Sequence, residues 1–99
     1  MKIEIENGDA LTISLSGQLD TLSAPDFEKE IQGILKGDDL HIILNGDELT
    51  YISSAGLRLL LTLQKGVRGK GGTLKLKNVR KEIMDIFNIT GFSSILTIE

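Results

Sequence analysis

Near its start the chain twice alternates polar and apolar residues with period two. "KIEIE" (2–6) and "ALTISL" (10–15) flank "NGD", in which Asn7-Gly8 suits a turn that needs positive φ. The pattern predicts a hairpin. Gly17 interrupts it, and the period then changes: Phe27, Ile31, Ile34 and Leu35 form one helical stripe. Ser23 is the candidate N-cap of that helix and Pro25 fits its first turn. Asp26, Glu28 and Glu30 suit the positive end of its dipole, and Gly37 closes it. "LHIIL" (40–44) is short, apolar and β-rich, which predicts a buried strand, with "NGDELTY" (45–51) as the turn after it. From Ser54 to about Arg68 the spacing is helical again, with Leu57, Leu60, Leu61 and Val67 on one face. "RGKGG" (68–72) breaks that helix and "TLKLKNV" (73–79) alternates as a strand. "RKEIMDIFNIT" (80–90) gives a last helix with Ile83, Ile86 and Phe87 inward and Gly91 as its stop. "SILTI" (94–98) is the closing strand.

The order is β-β-α-β-α-β-α-β. Strands separated by helices imply parallel neighbours joined by right-handed crossovers, and the opening hairpin adds an antiparallel edge. The fold class is α/β with a mixed sheet. No repeat or linker divides residues 1–99, so the expectation is a single domain.

Composition narrows the function. With no cysteine and one histidine, His41, there is no disulfide framework, no thiolate metal site and no cysteine nucleophile. No run of eighteen apolar residues suggests a membrane span, and the N-terminus lacks a signal-peptide core, so a cytoplasmic domain is expected. The net charge of −3 hides an asymmetry. Residues 1–48 hold eleven acids and three bases, whereas residues 49–99 hold eight bases, from Arg58 to Lys81, and three acids. That predicts a positive face in the second half. Nucleic acid is not the expected partner, because no aromatic residue is interleaved with the bases as a stacking platform. A solvated face is the plain reading, and docking of an acidic protein comes second.

In open α/β sheets, working residues gather where strands end and helices begin. Two such corners are Gly17–Thr21, with Asp20, and Tyr51–Gly56, with Ser53 and Ser54. If the strands before them are parallel neighbours, Asp20 and the serines share one rim. Ser53 or Ser54 is the N-cap of the following helix, and Gly56 allows close backbone approach. A phosphate on Ser54 would add a charge of about −1.5 to −2 at a helix N-terminus, which favours anions. A partner packed there, beside Asp20, Asp47 and Glu48, would be repelled. Catalysis is rejected. Ser54 follows the end of "LHIIL" while His41 lies near its start, roughly 13 Å away along a strand, too far to serve as a base. The G-x-S-x-G elbow is absent, and "GVRGKGGT" lacks the ending of a phosphate loop.

These residues carry a family resemblance along nearly the whole chain. "SGQLDTLSAP" (16–25), "LNGDELTYISSAGLRLLL" (44–61), "GGTLKLKNV" (71–79) and "ITGFSSILTI" (89–98) resemble, in order, segments of the anti-sigma factor antagonists, the single-domain form of the STAS fold. The second segment is the most specific. The resemblance implies a non-enzymatic protein without a cofactor, with Ser54 as the phosphorylated serine and Asp20, Ser53 and Gly56 as its neighbours. The aspartate that precedes the serine in the family is replaced here by Ser53. The resemblance further implies an anti-sigma factor of the histidine-kinase-like, ATP-using type as partner and as serine kinase, with a serine phosphatase as a further partner. Asp20, Thr21, Ser54, Arg58 and Leu59 are the candidate partner contacts. Leu59 and Leu63 lie off the Leu57 face, which leaves two readings open: exposure of one or both, or burial of the helix on a broad face. An alternative within the same fold is a scaffold or sensor subunit that binds a partner constitutively.

Overall fold

In the computed structural model, which describes residues 1–99, β1 (Lys2–Glu6) and β2 (Leu11–Leu19) form the expected antiparallel hairpin. Then follow α1 (Ala24–Lys36), β3 (His41–Ile52), α2 (Ser54–Gly69), β4 (Thr73–Lys77), α3 (Lys81–Thr90), a 3-10 turn (Phe92–Ser94) and β5 (Thr97–Ile98). The strands form one sheet in the order β1-β2-β3-β4-β5, parallel from β2 onward. Each parallel strand is therefore the neighbour of the one before it. With right-handed crossovers, that steady progression puts all three helices on the same face of the sheet.

The residue pattern agrees. Leu11, Ile13 and Leu15 of β2, Ile42 and Leu44 of β3, and Leu74 and Leu76 of β4 are buried on the helix side. They pack with Phe27 and Ile31 of α1, Leu60 and Leu63 of α2, and Ile83 and Phe87 of α3. The alternate residues, among them Lys2, Glu4, Thr12, Ser14, Asn45, Lys75 and Lys77, give the opposite face a polar surface. The bases after residue 58 thus do not make one positive face. Lys75 and Lys77 lie on the polar sheet face beside Glu99, whereas Arg58, Lys65 and Arg68 are exposed on α2, on the other side.

Three readings of the sequence are corrected or decided by the fold. Residues 45–51 are not a turn but the second half of β3, whose Leu49 and Ile52 are each 2% exposed. The turn-like "NGD" is a bulge: β2 and β3 pair at Ser14↔Asn45 and again at Ser16↔Glu48, so two residues of β3 oppose one of β2. The Asn45 side-chain oxygen accepts the Asp47 N–H at 3.2 Å, satisfying the backbone where the ladder is interrupted. Secondly, of the two readings of Leu59 and Leu63, burial on a broad face is the one observed. Leu63 is fully buried and Leu59 is 9% exposed, while Leu61 of the expected inward face is only half-buried. The helix lies between α1 and the segment after α3, to which the Gln64 amide nitrogen donates at the Ile95 carbonyl (2.9 Å), so it is buried on a broad arc. Thirdly, the closing strand is short, because residues 92–94 wind into a 3-10 turn after Gly91 ends α3 at φ 83°.

The end of α1 is held by a distant residue. Lys70, just past α2, donates from Nζ to the Gly37 carbonyl at 2.5 Å, and to those of Ile34 and Asp39 at 3.4 Å. It neutralises the negative end of the α1 dipole and ties α1 to α2. Replacing Lys70 by Met keeps the aliphatic stem and removes the donor. The expected loss is about 1–2 kcal/mol of unfolding free energy in urea titration, with the fold retained.

Candidate functional site

The two corners singled out from the sequence meet at one rim. Parallel pairing of β2 with β3 continues to Leu19↔Ile52, and one residue further on the Ser53 N–H donates to the Leu19 carbonyl at 2.9 Å. The start of α2 is thus stitched to the end of β2, next to Asp20. Asp47 and Glu48 do not share this rim. They sit back along β3 on the bulge, where the Asp47 carbonyl accepts from Arg80 at 3.3 Å. Arg80 also pairs with Glu82 at 2.6 Å, which raises the arginine pKa and lowers that of the glutamate.

Asp20 builds its own corner. Its Oδ1 accepts the N–H groups of Leu22 and Ser23, each at 3.1 Å, and its carbonyl accepts the Ala24 N–H at 2.8 Å. Ser23 stands at the N-cap place of α1 without capping it. Its hydroxyl turns back instead, accepting the Asp20 N–H at 2.9 Å and donating to the Gln18 carbonyl at 2.8 Å. The chain leaves β2 and enters α1 through an Asx turn closed by Ser23. The Ser23 N–H holds the Asp20 carboxyl below its ordinary pKa of 3.8; the Ser23 hydroxyl and Leu22 N–H add to this, against a smaller opposing effect of desolvation. Asp20 is an anion at neutral pH.

The two serines divide their tasks. Ser53 is the N-cap of α2: extended at φ −92° and ψ 174°, it accepts the Gly56 N–H on its Oγ at 3.3 Å, and its carbonyl accepts the Leu57 N–H at 2.9 Å. Ser54 is the first helical residue, and it is exposed. Gly56 sets how closely the helix approaches. A Cβ there would come within 2.8 Å of side-chain atoms of both Ile52 and Leu19, so no other residue lets α2 begin this near the strand ends.

A groove of about 320 Å³ runs between α1 and α2 from this rim. Thr21, Ala24 and Glu28 line one side, and Ala55, Arg58 and Leu59 the other. Thr21, Arg58 and Leu59, three of the five sequence-derived contact residues, are therefore brought together. Leu59 lies at the groove's wall rather than on an open surface. Asp20 lies in an adjoining recess with Met1, Gln18 and Leu22. Leu22 escaped the sequence reading although it is 90% exposed at the tip of the corner. Its signal was legible: a leucine between Asp20 and Ser23 that belongs to no strand or helix periodicity. His41 starts β3, at the opposite end from Ser54, and its Nδ1 lies 3.0 Å from the Thr73 hydroxyl.

The Asp20 corner yields a test that separates its geometry from its charge. Asp20→Asn keeps the accepting oxygen and removes the charge, whereas Asp20→Ala removes both; at neutral pH the Tm should fall slightly in the asparagine variant and further in the alanine variant. Because the folded pKa is depressed, the stabilisation is present above the ordinary value and is lost as pH falls through the folded one. Wild type should accordingly lose more stability than Asp20→Asn on acidification below about pH 4, as read by thermal melts across pH.

The sequence of the chain matches the STAS domain family over residues 2–99. It is 31% identical to the anti-sigma-B factor antagonist of Bacillus subtilis (strain 168), over 94% of this chain and 84% of that one. The fold superposes on a crystal structure of an anti-sigma factor antagonist from Mycobacterium paratuberculosis with a TM-score of 0.88, at 17% identity, covering 98% of this chain and 83% of the other. It also superposes on the Bacillus cell fate determinant SpoIIAA in its phosphorylated form, with a TM-score of 0.76 at 21% identity, covering 99% and 91% of the two chains. A parallel sheet with an antiparallel first strand, and a match that extends over the whole chain, place this protein in the STAS domain family, among the anti-sigma factor antagonists.

Proposed function

We propose that this protein binds a kinase-type anti-sigma factor through the Asp20–Ser54 rim, releasing a sigma factor, and that phosphorylation of Ser54 switches the binding off. The observation that carries the reading is the separation of roles at the α2 N-terminus. Ser53 makes the capping bond, so the exposed Ser54 hydroxyl is left for modification without loss of the cap. A phosphate on Ser54 meets the free N–H groups and positive end of α2, so the helix accommodates the charge. The Asp20 carboxylate already makes the neighbouring corner negative. A dianion added beside it changes the rim for a partner more than for the fold.

The partner implied is the histidine-kinase-like ATPase that also phosphorylates the serine, with a serine phosphatase to reverse the mark, in a cytoplasmic setting. One line of support is the phosphorylated state in which SpoIIAA has been solved. The groove between α1 and α2 provides a concave surface beside the switch, where an apolar side chain of the partner can rest against Leu59 with Arg58 and Glu28 on the walls. Constitutive binding is the second reading. It is favoured by the serine at position 53, which leaves the acceptor without an adjacent carboxylate.

Incubation with the cognate anti-sigma kinase and ATP, followed by peptide mapping, decides between them. Phosphate on Ser54 and none on Ser53 is expected. Ser54→Asp should weaken binding of the kinase about tenfold or more, by calorimetry, and Ser54→Ala should bind but resist inactivation by ATP. Ser53→Ala should cost about 1 kcal/mol of stability through loss of the cap while leaving Ser54 a substrate. Equal affinity of wild type and Ser54→Asp, with no phosphate transferred, would establish the constitutive reading instead.

A further inference from the structure

The edge of the sheet formed by β1 is open, and its composition is self-complementary. Lys2, Glu4 and Glu6 pair with Ser16, Ser14 and Thr12 on the polar face, while Ile3 and Ile5 lie opposite Leu15 and Ile13 on the helix face. Burial along that apolar row is uneven. Ile13 is completely buried, yet Ile5 directly opposite is 38% exposed, and Met1 at the other end of the strand is 41% exposed. Beyond β1 no strand follows, so one side of its backbone has no partner in the sheet.

We propose that β1 is a homodimerisation edge, on which a second copy of this chain adds its own β1 antiparallel about a two-fold axis at Ile3. Charges on an edge strand ordinarily discourage such pairing, because like meets like. In this register the reverse holds. Lys2 faces Glu4 of the second copy, and Glu4 faces its Lys2. Within one chain Lys2 and Glu4 already lie 3.1 Å apart, so the four side chains form a ring of alternating sign at the centre of the polar face. On the other face Ile3 meets Ile3, and the exposed Ile5 meets the exposed Met1. One arrangement thus pairs the charges, covers the two open apolar side chains and continues the backbone ladder.

The axis stands perpendicular to the sheet, so the helices of both copies remain on one face of a ten-stranded sheet ordered 5-4-3-2-1-1-2-3-4-5. Because β2 of one copy runs opposite to β2 of the other, the two Ser54 rims point to opposite ends. The assembly is bivalent. The contact is small, within the class of weak interfaces that bury less than about 1,200 Å², so the dimer forms reversibly with concentration. The inference is independent of the switch at Ser54.

Sedimentation equilibrium over a concentration series tests it, with Lys2→Glu, Glu4→Lys, the two changes combined in one chain, and an equimolar mixture of the single variants. Lys2 and Glu4 are 72% and 52% exposed in their side chains, so folding is not at stake. Wild type should show a monomer–dimer equilibrium. Each single reversal sets like charges face to face twice and should raise the dissociation constant about tenfold or more. The mixture restores two opposite-charge pairs and should recover dimers of mixed composition, and the combined variant should dimerise like wild type. A monomeric wild type throughout the series overturns the proposal. So does a dimer indifferent to both single reversals, or a mixture that stays monomeric while the combined variant is folded by circular dichroism.

Discussion

The arrangement of the rim depends on β2 and β3 ending side by side. They begin pairing at Leu11↔Ile42 and finish at Leu19↔Ile52, so β3 uses two more residues than β2 over the same span. The surplus is taken up where the register shifts, first opposite Leu15 and then at Thr50, whose hydroxyl donates to the Gly17 carbonyl at 3.1 Å. Without those irregularities, Ser53 would overshoot Leu19 and the hydrogen bond between them could not form. The bulges therefore do for the site what they do at sheet rims generally, re-aiming the residues that follow. Gly17, at φ 96°, supplies the matching bend in β2.

From that stitch the packing follows in sequence. Gly56 lets the first turn of α2 rest on Leu19 and Ile52, the two residues that end the paired strands. One face of α2 then buries Leu57, Leu60 and Leu63 over the sheet. Gly66, further along the helix, sits so close to the Leu35 side chain that α1 and α2 are brought into contact there, leaving the groove open only toward the rim. The groove and the exposed hydroxyl are thus products of the same geometry, with close approach at one end of α2 and a splay between helices beginning at the other.

Element order, the parallel sheet and the convergence of Asp20 with the serines were legible in the sequence because each rests on periodicity or on a helix-start signal. What the sequence concealed has local physical reasons. "NGD" at 45–47 carries the same residues as the true turn at 7–9, and only the burial of Leu49 and Ile52 beyond it keeps the second one in the sheet. Ser23 has the composition of a cap, but the Gln18 carbonyl and Asp20 N–H claim its hydroxyl. Periodicity placed Leu59 and Leu63 off the inward stripe, since it cannot register that α2 has neighbours on its flanks as well as beneath it. Lys70 looked like part of a basic tract and instead closes α1, a role set by distance across the fold and invisible in the chain order.

Ser53, where the family resemblance implies an aspartate, bears on how the proposed switch would be built. An aspartate at that position can cap the helix, but its charge also sits beside the acceptor hydroxyl. Serine caps equally well, since both residue types rank among the preferred N-caps. The bond from the Gly56 N–H to Ser53 Oγ shows the cap intact. What changes is the electrostatic background. With a neutral side chain at 53, the carboxylate at the adjoining corner is Asp20, held ionised by its own Asx turn. Under the proposed phosphorylation of Ser54, the charge difference between the two states of the rim would rest on a single fixed anion and one variable dianion. Such a modification would then give a partner a proportionally larger contrast, while the capping bonds of the fold, which do not involve the Ser54 hydroxyl, would be left in place.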